Sequence, residues 1–505
     1  MCHKASRGFR VHVFTETEWI DPASADPPQD QLRAFLTVAQ PQHSLDFLLL
    51  IGDPRNGRGP LAMKTLYPRN LGAVANHSCY SWSSSTLCGF NQEPVASDYW
   101  YSILDGSDWD GNGNGKAGEF GDVNPVTGTT GDFEQVAEGG FGDTMFTPAW
   151  SVGRIPHYET SSITILDGIL QKTIDYETAA LANIGWRRSG LVAAVAETRV
   201  FFGEDMAALF ETQAGYLTTY KVYDAENCWP CATPTCSCGS SSVLPGADLT
   251  EAPNALTCSE QNVADGWNAR QPGLVTWFTH GSGAGAQHVM DVARAFTLND
   301  TQPAITFQAS CLNAKPAVTN NIAYTLLRNG AVGTVASTVV SHGGLLSYGQ
   351  QLTDVAAAGG ITGMSYRFNQ HLIDGLSTGK SLSMLKRNSI IGRCWYWQNY
   401  VGFVLYGDPT IRLGANADDA VDASGQFTPV YHNPPPTPSP TSPYCNAVPP
   451  EVSYHDNLLG NPSFEGDGAS QSNLLGTPAV DWTPSGTGVS VTTEPTEVET
   501  AAPPA

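Results

Sequence analysis

Basic charge is what this sequence has least of. Lys and Arg total 25 against 48 Asp and Glu in 505 residues, which leaves a net charge of −23. Binding a nucleic-acid backbone or an anionic membrane needs a basic stripe, and none occurs along the chain, so neither is an expected partner. Charge of either sign is sparse as well, at 14% of residues against about a quarter in an average soluble protein. Polarity comes instead from neutral side chains and from 51 Gly and 34 Pro. Apolar runs are short: the longest, such as FLLLIG at 47–52, have strand length and fall far below the roughly 18 residues a spanning helix needs. The start, MCHKASRGFRVHV, has no apolar signal region. What is plentiful is core material, 41% hydrophobic residues including 12 Trp, 18 Tyr and 19 Phe, and this excludes disorder of the whole chain.

Up to about residue 415 the chain alternates apolar runs with amphipathic stretches. Residues 8–14, 46–53, 151–157, 190–197, 273–280, 304–311 and 331–338 read as strands. Helical spacing marks 30–39, the stretch around Leu166, Ile169, Leu170 and Ile174, then 204–216 and 318–330. Continuous apolar strands separated by helices predict a mostly parallel sheet covered on both faces, an α/β/α sandwich. Two stretches interrupt this rhythm: a Gly/Asp/Ser-rich insertion at about 54–150 and a Cys-rich loop at 223–262. Residues 416–450 form a linker, acidic at first and then Pro/Ser/Thr-rich (HNPPPTPSPTSP at 432–443), which predicts a stiff extended spacer. The remainder, 451–505, is too short for a complete sandwich and reads as a truncated, β-rich accessory module.

Two strand ends carry reactive residues 31 positions apart. VTWFTHGSG ends one strand at His280, and FQASCLNAK ends the next at Cys311. In open parallel sheets the carboxyl ends of strands line the ligand crevice, and this spacing suits one crossover between neighbours, so both side chains are expected at one cleft. Gly281 lets backbone approach a substrate and offers an unobstructed N–H to an oxyanion. The predicted helix at 318–330 would favour a thiolate at Cys311 if its N-terminus points at the sulfur. A nucleophile, a base and oxyanion donors are the parts of acyl transfer. The same two residues also suit a satisfied core histidine and a small buried cysteine.

WFTHGSGAG, FQASCLNA, YTLLRNGAVGTVAST and YGDPTIRL together resemble the gingipain-type cysteine peptidases, which have the caspase-like fold. FLLLIGDP, SDYWY and SVGRIP followed by KTIDYE match the same family in the same order, so the resemblance covers about residues 8–413. It implies that His280 is the general base and Cys311 the nucleophile, with backbone N–H groups at Gly281 and Cys311 holding the oxyanion. It further implies that Glu197, in AVAETR, orients the histidine. The arginine-specific relatives use an acidic residue a little further on; its match here, Asp205, implies a preference for a basic residue at the cleaved position. Two departures bear on the pocket rather than on this pair: GAGAQH follows the His-Gly-Ser, and Tyr324 stands where an acidic residue is common.

DWDGNGNGKAGE at 108–119 fits an EF-hand-type calcium loop, with Asp108, Asp110 and Asn112 at positions 1, 3 and 5, Gly113 at 6, Asn114 at 7 through its carbonyl, and Glu119 at 12. Without flanking helices it would serve to stiffen the insertion through structural Ca2+. CWPCATPTCSC supplies Cys228, Cys231, Cys236 and Cys238, with Cys258 beyond. A CxC step among prolines departs from paired CxxC knuckles, so disulfides are favoured there over Zn2+. Cys79 and Cys88 are expected to close another small loop, and His288 and His342 to be pocket or surface residues.

The expectation is thus a secreted or cell-surface, bacterial-type cysteine endopeptidase acting on proteins or peptides. Its peptidase domain is expected over 1–415, lacking a first strand, with an export signal preceding this chain. The accessory segment, NLLGNPSFEGDG with Trp482, resembles the opening strands of carbohydrate-binding β-sandwich modules, which implies polysaccharide as a further partner. Two rivals stay open at this point: a non-catalytic adhesion protein that keeps the fold, and a transpeptidase that uses the same Cys-His pair with an amine in place of water.

Overall fold

The computed structural model describes residues 2–68, 94–104, 109–110, 115–118, 148–158, 161–180, 183–195, 199–213, 218–223, 259–343, 360–387, 394–414, 419–421, 427–429 and 488–493. Ten strands make its principal sheet: β1 (Arg10–Thr15), β2 (Phe47–Gly52), β3 (Ser151–Pro156), β4 (Ser189–Ala194), β5 (Thr218–Tyr223), β6 (Leu274–Phe278), β7 (Ala304–Ala309), β8 (Ala331–Ser337), β9 (Phe403–Gly407) and β10 (Gly488–Thr493). Their order across the sheet is β1-β10-β2-β3-β9-β8-β7-β6-β4-β5. Six neighbouring pairs are parallel, and the exceptions are both pairings of β10 and the β8–β9 pair. Apart from β10, the sheet is therefore two parallel blocks running in opposite directions, joined at β8–β9.

Helices cover both faces, as the unbroken apolar strands require. On β2, Leu48 and Leu50 pack with Leu32, Leu36 and Ala39 of the helix Pro28–His43. Leu49, one residue out of phase, packs with Leu166 and Ile169 of the helix Ile163–Thr178 on the other side. β4 repeats the alternation: Val192 and Ala194 meet Phe202 and Met206 of Arg199–Ala208, whereas Leu191 and Ala193 meet Val263 and Trp267 of Glu260–Arg270. Successive strand side chains point to opposite faces, so a strand buried on both sides has no polar phase.

The expected strands and helices are present, with shifted ends. The helix expected at 204–216 begins at Arg199 and closes in a π turn over Leu209–Gln213. The one expected at 318–330 is only Ile322–Arg328, because 315–321 is taken up by turns and Asn321 caps the helix by accepting from the Tyr324 N–H. The insertion is less irregular than its composition suggests. Lys64–Leu66 pairs with Val95–Ser97, and Tyr99, Trp100, Trp109 and Trp150 are buried in one cluster with Trp397 and Tyr400. Arg154 of β3, fully buried, makes two hydrogen bonds to Asp98 at 2.6 and 2.8 Å and a third to the Leu61 carbonyl, which fastens the insertion to the sheet.

Residues 488–493, expected within the accessory module, form β10 between β1 and β2 in the principal sheet. The rest of 430–487, including Trp482 and the Pro/Ser/Thr-rich spacer, lies outside the described residues. So do Cys79, Cys88, Cys228, Cys231, Cys236, Cys238 and Cys258. No helix among the described residues is long and apolar enough to cross a membrane.

Candidate active site

The carboxyl ends of β6 and β7 lie side by side, in register, with Phe278 opposite Ala309. His280 and Cys311 each stand two residues beyond that pair, so topology brings them to the same edge at the same level. The 31-residue separation is a single crossover between adjacent parallel strands, as expected from the sequence.

Backbone contacts interlock the two loops. A side-chain carbon on Gly281 would overlap the carbonyl oxygen of Cys311 and would stand 2.8 Å from Asn313 Nδ2 and 2.9 Å from Ser310 Cβ. Only glycine permits this approach. Beyond Gly281 the chain forms a small hairpin, Gly281–Ser282 against Gly285–Ala286, closed by the Gln287 N–H donating to the His280 carbonyl. The Thr279 N–H reaches back to the Ala309 carbonyl at 3.3 Å.

Asn313, fully buried, is the bracket between the loops and was not singled out in the sequence. Its Nδ2 donates to the carbonyls of Ser282 (2.8 Å) and Gly285 (3.2 Å), and its Oδ1 accepts from the Ser310 hydroxyl. Ser310 in turn accepts from the Trp277 indole N–H at 3.1 Å. The only sequence signal for this role is the position of Asn313 two residues past the cysteine, in FQASCLNA. Leu312, between the two, adopts a left-handed φ of 62°, uncommon for a branched side chain, and its N–H is held by the Val339 carbonyl at 3.0 Å.

Cys311 is a free, half-buried cysteine. Its sulfur meets one residue in three ways: the Ser341 N–H at 3.4 Å, the Ser341 Oγ at 3.7 Å and the Ser341 carbonyl at 3.5 Å. The helix expected to favour a thiolate at Cys311 is shorter than its apolar spacing suggests. The helix starts at Ile322, and its first N–H groups go to the Gly283 carbonyl (from Ile322), the Asn313 carbonyl (from Ala323) and the Asn321 side chain (from Tyr324), so they are spent on caps and loops. Tyr324 sits in the core, with its hydroxyl 3.1 Å from Ser161 Oγ and its ring edge-on to Tyr158, and burial pushes its phenol up.

Of the other expected residues, Glu197 lies outside the described residues. β4, which leads towards it, pairs with β6, and the Val195 N–H donates to the Phe278 carbonyl. Asp205 is half-buried on Arg199–Ala208. There it is one of the carboxylates that, after burial itself, push the Tyr223 phenol well above its ordinary value. His288 is exposed, with its N–H on Glu260, and the His342 backbone is gripped by Asn399. Of the five expected calcium ligands only Asp110 is described; its carboxylate accepts from the Gly115 N–H at 2.8 Å, and Gly115 and Gly118 both take left-handed turns. Asp108, Asn112, Asn114 and Glu119 lie outside the described residues. Among the described residues no group of three or more His, Cys, Asp or Glu side chains is placed to hold a metal.

The sequence model of peptidase family C25 matches residues 1–414. The chain belongs to that family. It is a cysteine-type peptidase of the gingipain type, a hydrolase whose substrates are proteins or peptides. The C25 fold is also seen in two solved structures. The first is the Arg-specific cysteine proteinase gingipain R (RgpB), with 17% identity, a TM-score of 0.52, and coverage of 82% of this chain and 74% of that one. The second is the complex of Porphyromonas gingivalis RgpB pro- and mature domains, with 16% identity, a TM-score of 0.52, and coverage of 82% and 76%. At such identities the likeness establishes the α/β, caspase-like fold of this C25 chain. No curated protein matches it.

Proposed function

We propose that this C25 peptidase hydrolyses peptide bonds through Cys311 and His280. The observation that carries the reading is the interlocked pair of strand-end loops, in which Gly281 rests on the Cys311 carbonyl and holds the two residues at one edge of the sheet. His280 takes the thiol proton as the sulfur attacks the substrate carbonyl. The N–H groups of Gly281 and Cys311 receive the oxyanion, and the protonated histidine then delivers its proton to the departing amine. Water, deprotonated by His280, attacks the thioester; the acid leaves and the thiol is restored. Glu197 orients the imidazole in this scheme, and Asp205 draws a basic side chain to the cleaved position, on the strength of the family pattern.

Calcium bound by Asp108, Asp110, Asn112, Asn114 and Glu119 stiffens the insertion; the Asp110 carboxylate turned into its own loop supports that assignment. The cysteine-rich loop and the Pro/Ser/Thr-rich spacer suit work outside the cell, with the C-terminal segment contacting polysaccharide.

The test is covalent. A peptidyl electrophile bearing Arg or Lys at the cleaved position should label Cys311 stoichiometrically, and Cys311→Ala and His280→Ala should each remove hydrolysis. Full peptide hydrolysis by purified Cys311→Ala would end the assignment.

A further inference from the structure

We propose that Ser341 is the residue that receives negative charge on the Cys311 sulfur, and that Asn399 and Gln398 position it by clasping the loop on which it sits. The proposal rests on Cys311 being the nucleophile.

Ser341 lies four residues past the end of β8, the strand next to the one that delivers Cys311. It offers the sulfur two donors and one acceptor. The thiol donates to the Ser341 carbonyl at 3.5 Å, while the Ser341 N–H at 3.4 Å and hydroxyl at 3.7 Å face the sulfur from the same residue. Once His280 removes the proton, the thiol has nothing to donate. The two donors are then already aimed at the atom that has become an anion, while the carbonyl that accepted the thiol proton loses its partner and offsets part of that gain. Ser341 is buried, which limits competition from water.

Loops usually lack such precision, and here α-helical side chains supply it. The helix Cys394–Gly402 enters β9, which is antiparallel to β8, so its last turns lie beside the loop that leaves β8. Asn399, fully buried, grips the backbone of His342 at two points: its Oδ1 accepts from the N–H at 2.9 Å and its Nδ2 donates to the carbonyl at 2.9 Å. Gln398 donates to the Val340 carbonyl, and the Thr338 N–H donates to the Gly402 carbonyl at 2.9 Å. Residues on both sides of Ser341 are therefore fixed to one helix. The Leu312 N–H on the Val339 carbonyl ties the same loop to the residue after the nucleophile.

The experiment reads the sulfur directly in the full chain. The second-order rate of Cys311 alkylation by iodoacetamide is followed by mass spectrometry of the peptide carrying Cys311, at pH 7 and pH 10. Ser341→Ala should slow alkylation at pH 7 by about tenfold, the effect of one hydrogen bond to a charged group, and lower kcat alongside with KM little changed. The deficit should narrow at pH 10, a pH at which thiols in general are ionised by hydroxide. Ser341→Thr keeps the hydroxyl and should stay near the parent. A parental rate for Ser341→Ala at pH 7, a deficit of equal size at both pH values, or a threonine variant as slow as alanine would each overturn the proposal. Loss of the Cys311 mechanism itself would instead show as hydrolysis by Cys311→Ala, with the alkylation contrast intact.

Discussion

Gly281 packs its α-carbon against the carbonyl oxygen of Cys311, leaving no volume for a side chain. This single approach locks two strand ends together. The residue after the expected base is pinned to the backbone of the expected nucleophile, so the separation of the pair is set by main chain rather than by flexible side chains. Rigid positioning of this kind is what lets a proton pass and a bond form within one bound complex.

Gly281→Ala should therefore damage both stability and rate. The methyl group overlaps main-chain oxygen, which cannot rotate away as a side chain can, so the loops must part. A loss of about 1–3 kcal/mol is expected from the forced shift. Thermal melting and kcat measured on the same preparation check this; a variant with parental values would show that the two loops are not so closely locked.

Asn313→Ala removes the donors to the Ser282 and Gly285 carbonyls and the acceptor for Ser310. The Ser310 hydroxyl is buried and loses its acceptor, which costs about 1–3 kcal/mol. Because the hairpin that follows His280 is held by these bonds, kcat should fall by more than the loss of folded protein explains. Denaturant unfolding gives the first quantity, and saturating rates divided by the titrated concentration of active sites give the second.

Acid stability should depend on Glu177. Burial alone would push this carboxyl up, but the Lys4 ammonium at 2.6 Å, the His3 hydrogen bond and the nearby Arg7 outweigh it and hold the group at about 2, against 4.5 for an ordinary glutamate. A depressed carboxyl stabilises the fold fully above pH 4.5, and that contribution is lost as pH falls towards 2. Glu177→Gln should flatten the loss of stability in this window and cost about 1.5–3 kcal/mol at neutral pH, since it strips one charged partner from the buried Lys4 ammonium, which keeps Asp408 at 3.1 Å. Urea midpoints at pH 7, 4 and 3 for both proteins provide the check.

Chelation should test the calcium loop apart from catalysis. Adding EGTA in excess should lower the melting temperature of the parent, and readdition of Ca2+ should restore it, because a ligand bound only to the folded state stabilises by mass action. Asp108→Asn with Asp110→Asn should abolish the response. Melting that ignores EGTA and calcium alike would remove calcium from this insertion.

The sequence alone went far where one local pattern sufficed. Apolar phase located β2, β3, β4, β6, β7 and β8 because a strand covered on both faces leaves an unbroken hydrophobic signature that no loop imitates. The residues ending β6 and β7 were legible for a related reason, since 31 positions is the length of one crossover. Tertiary structure decided what is held by main chain or by residues remote in sequence. Nothing in the order of residues says that Ser341 touches the sulfur, that Asn399 clasps the loop beside it, or that 488–493 inserts between β1 and β2. The short helix at 322–328 shows the same division. Its apolar spacing was readable, yet its start was set by the Asn321 cap and by carbonyls on other segments. A periodic pattern records which face of an element is buried; which partner buries it, and which lone atom it reaches, exist only once the chain has closed on itself.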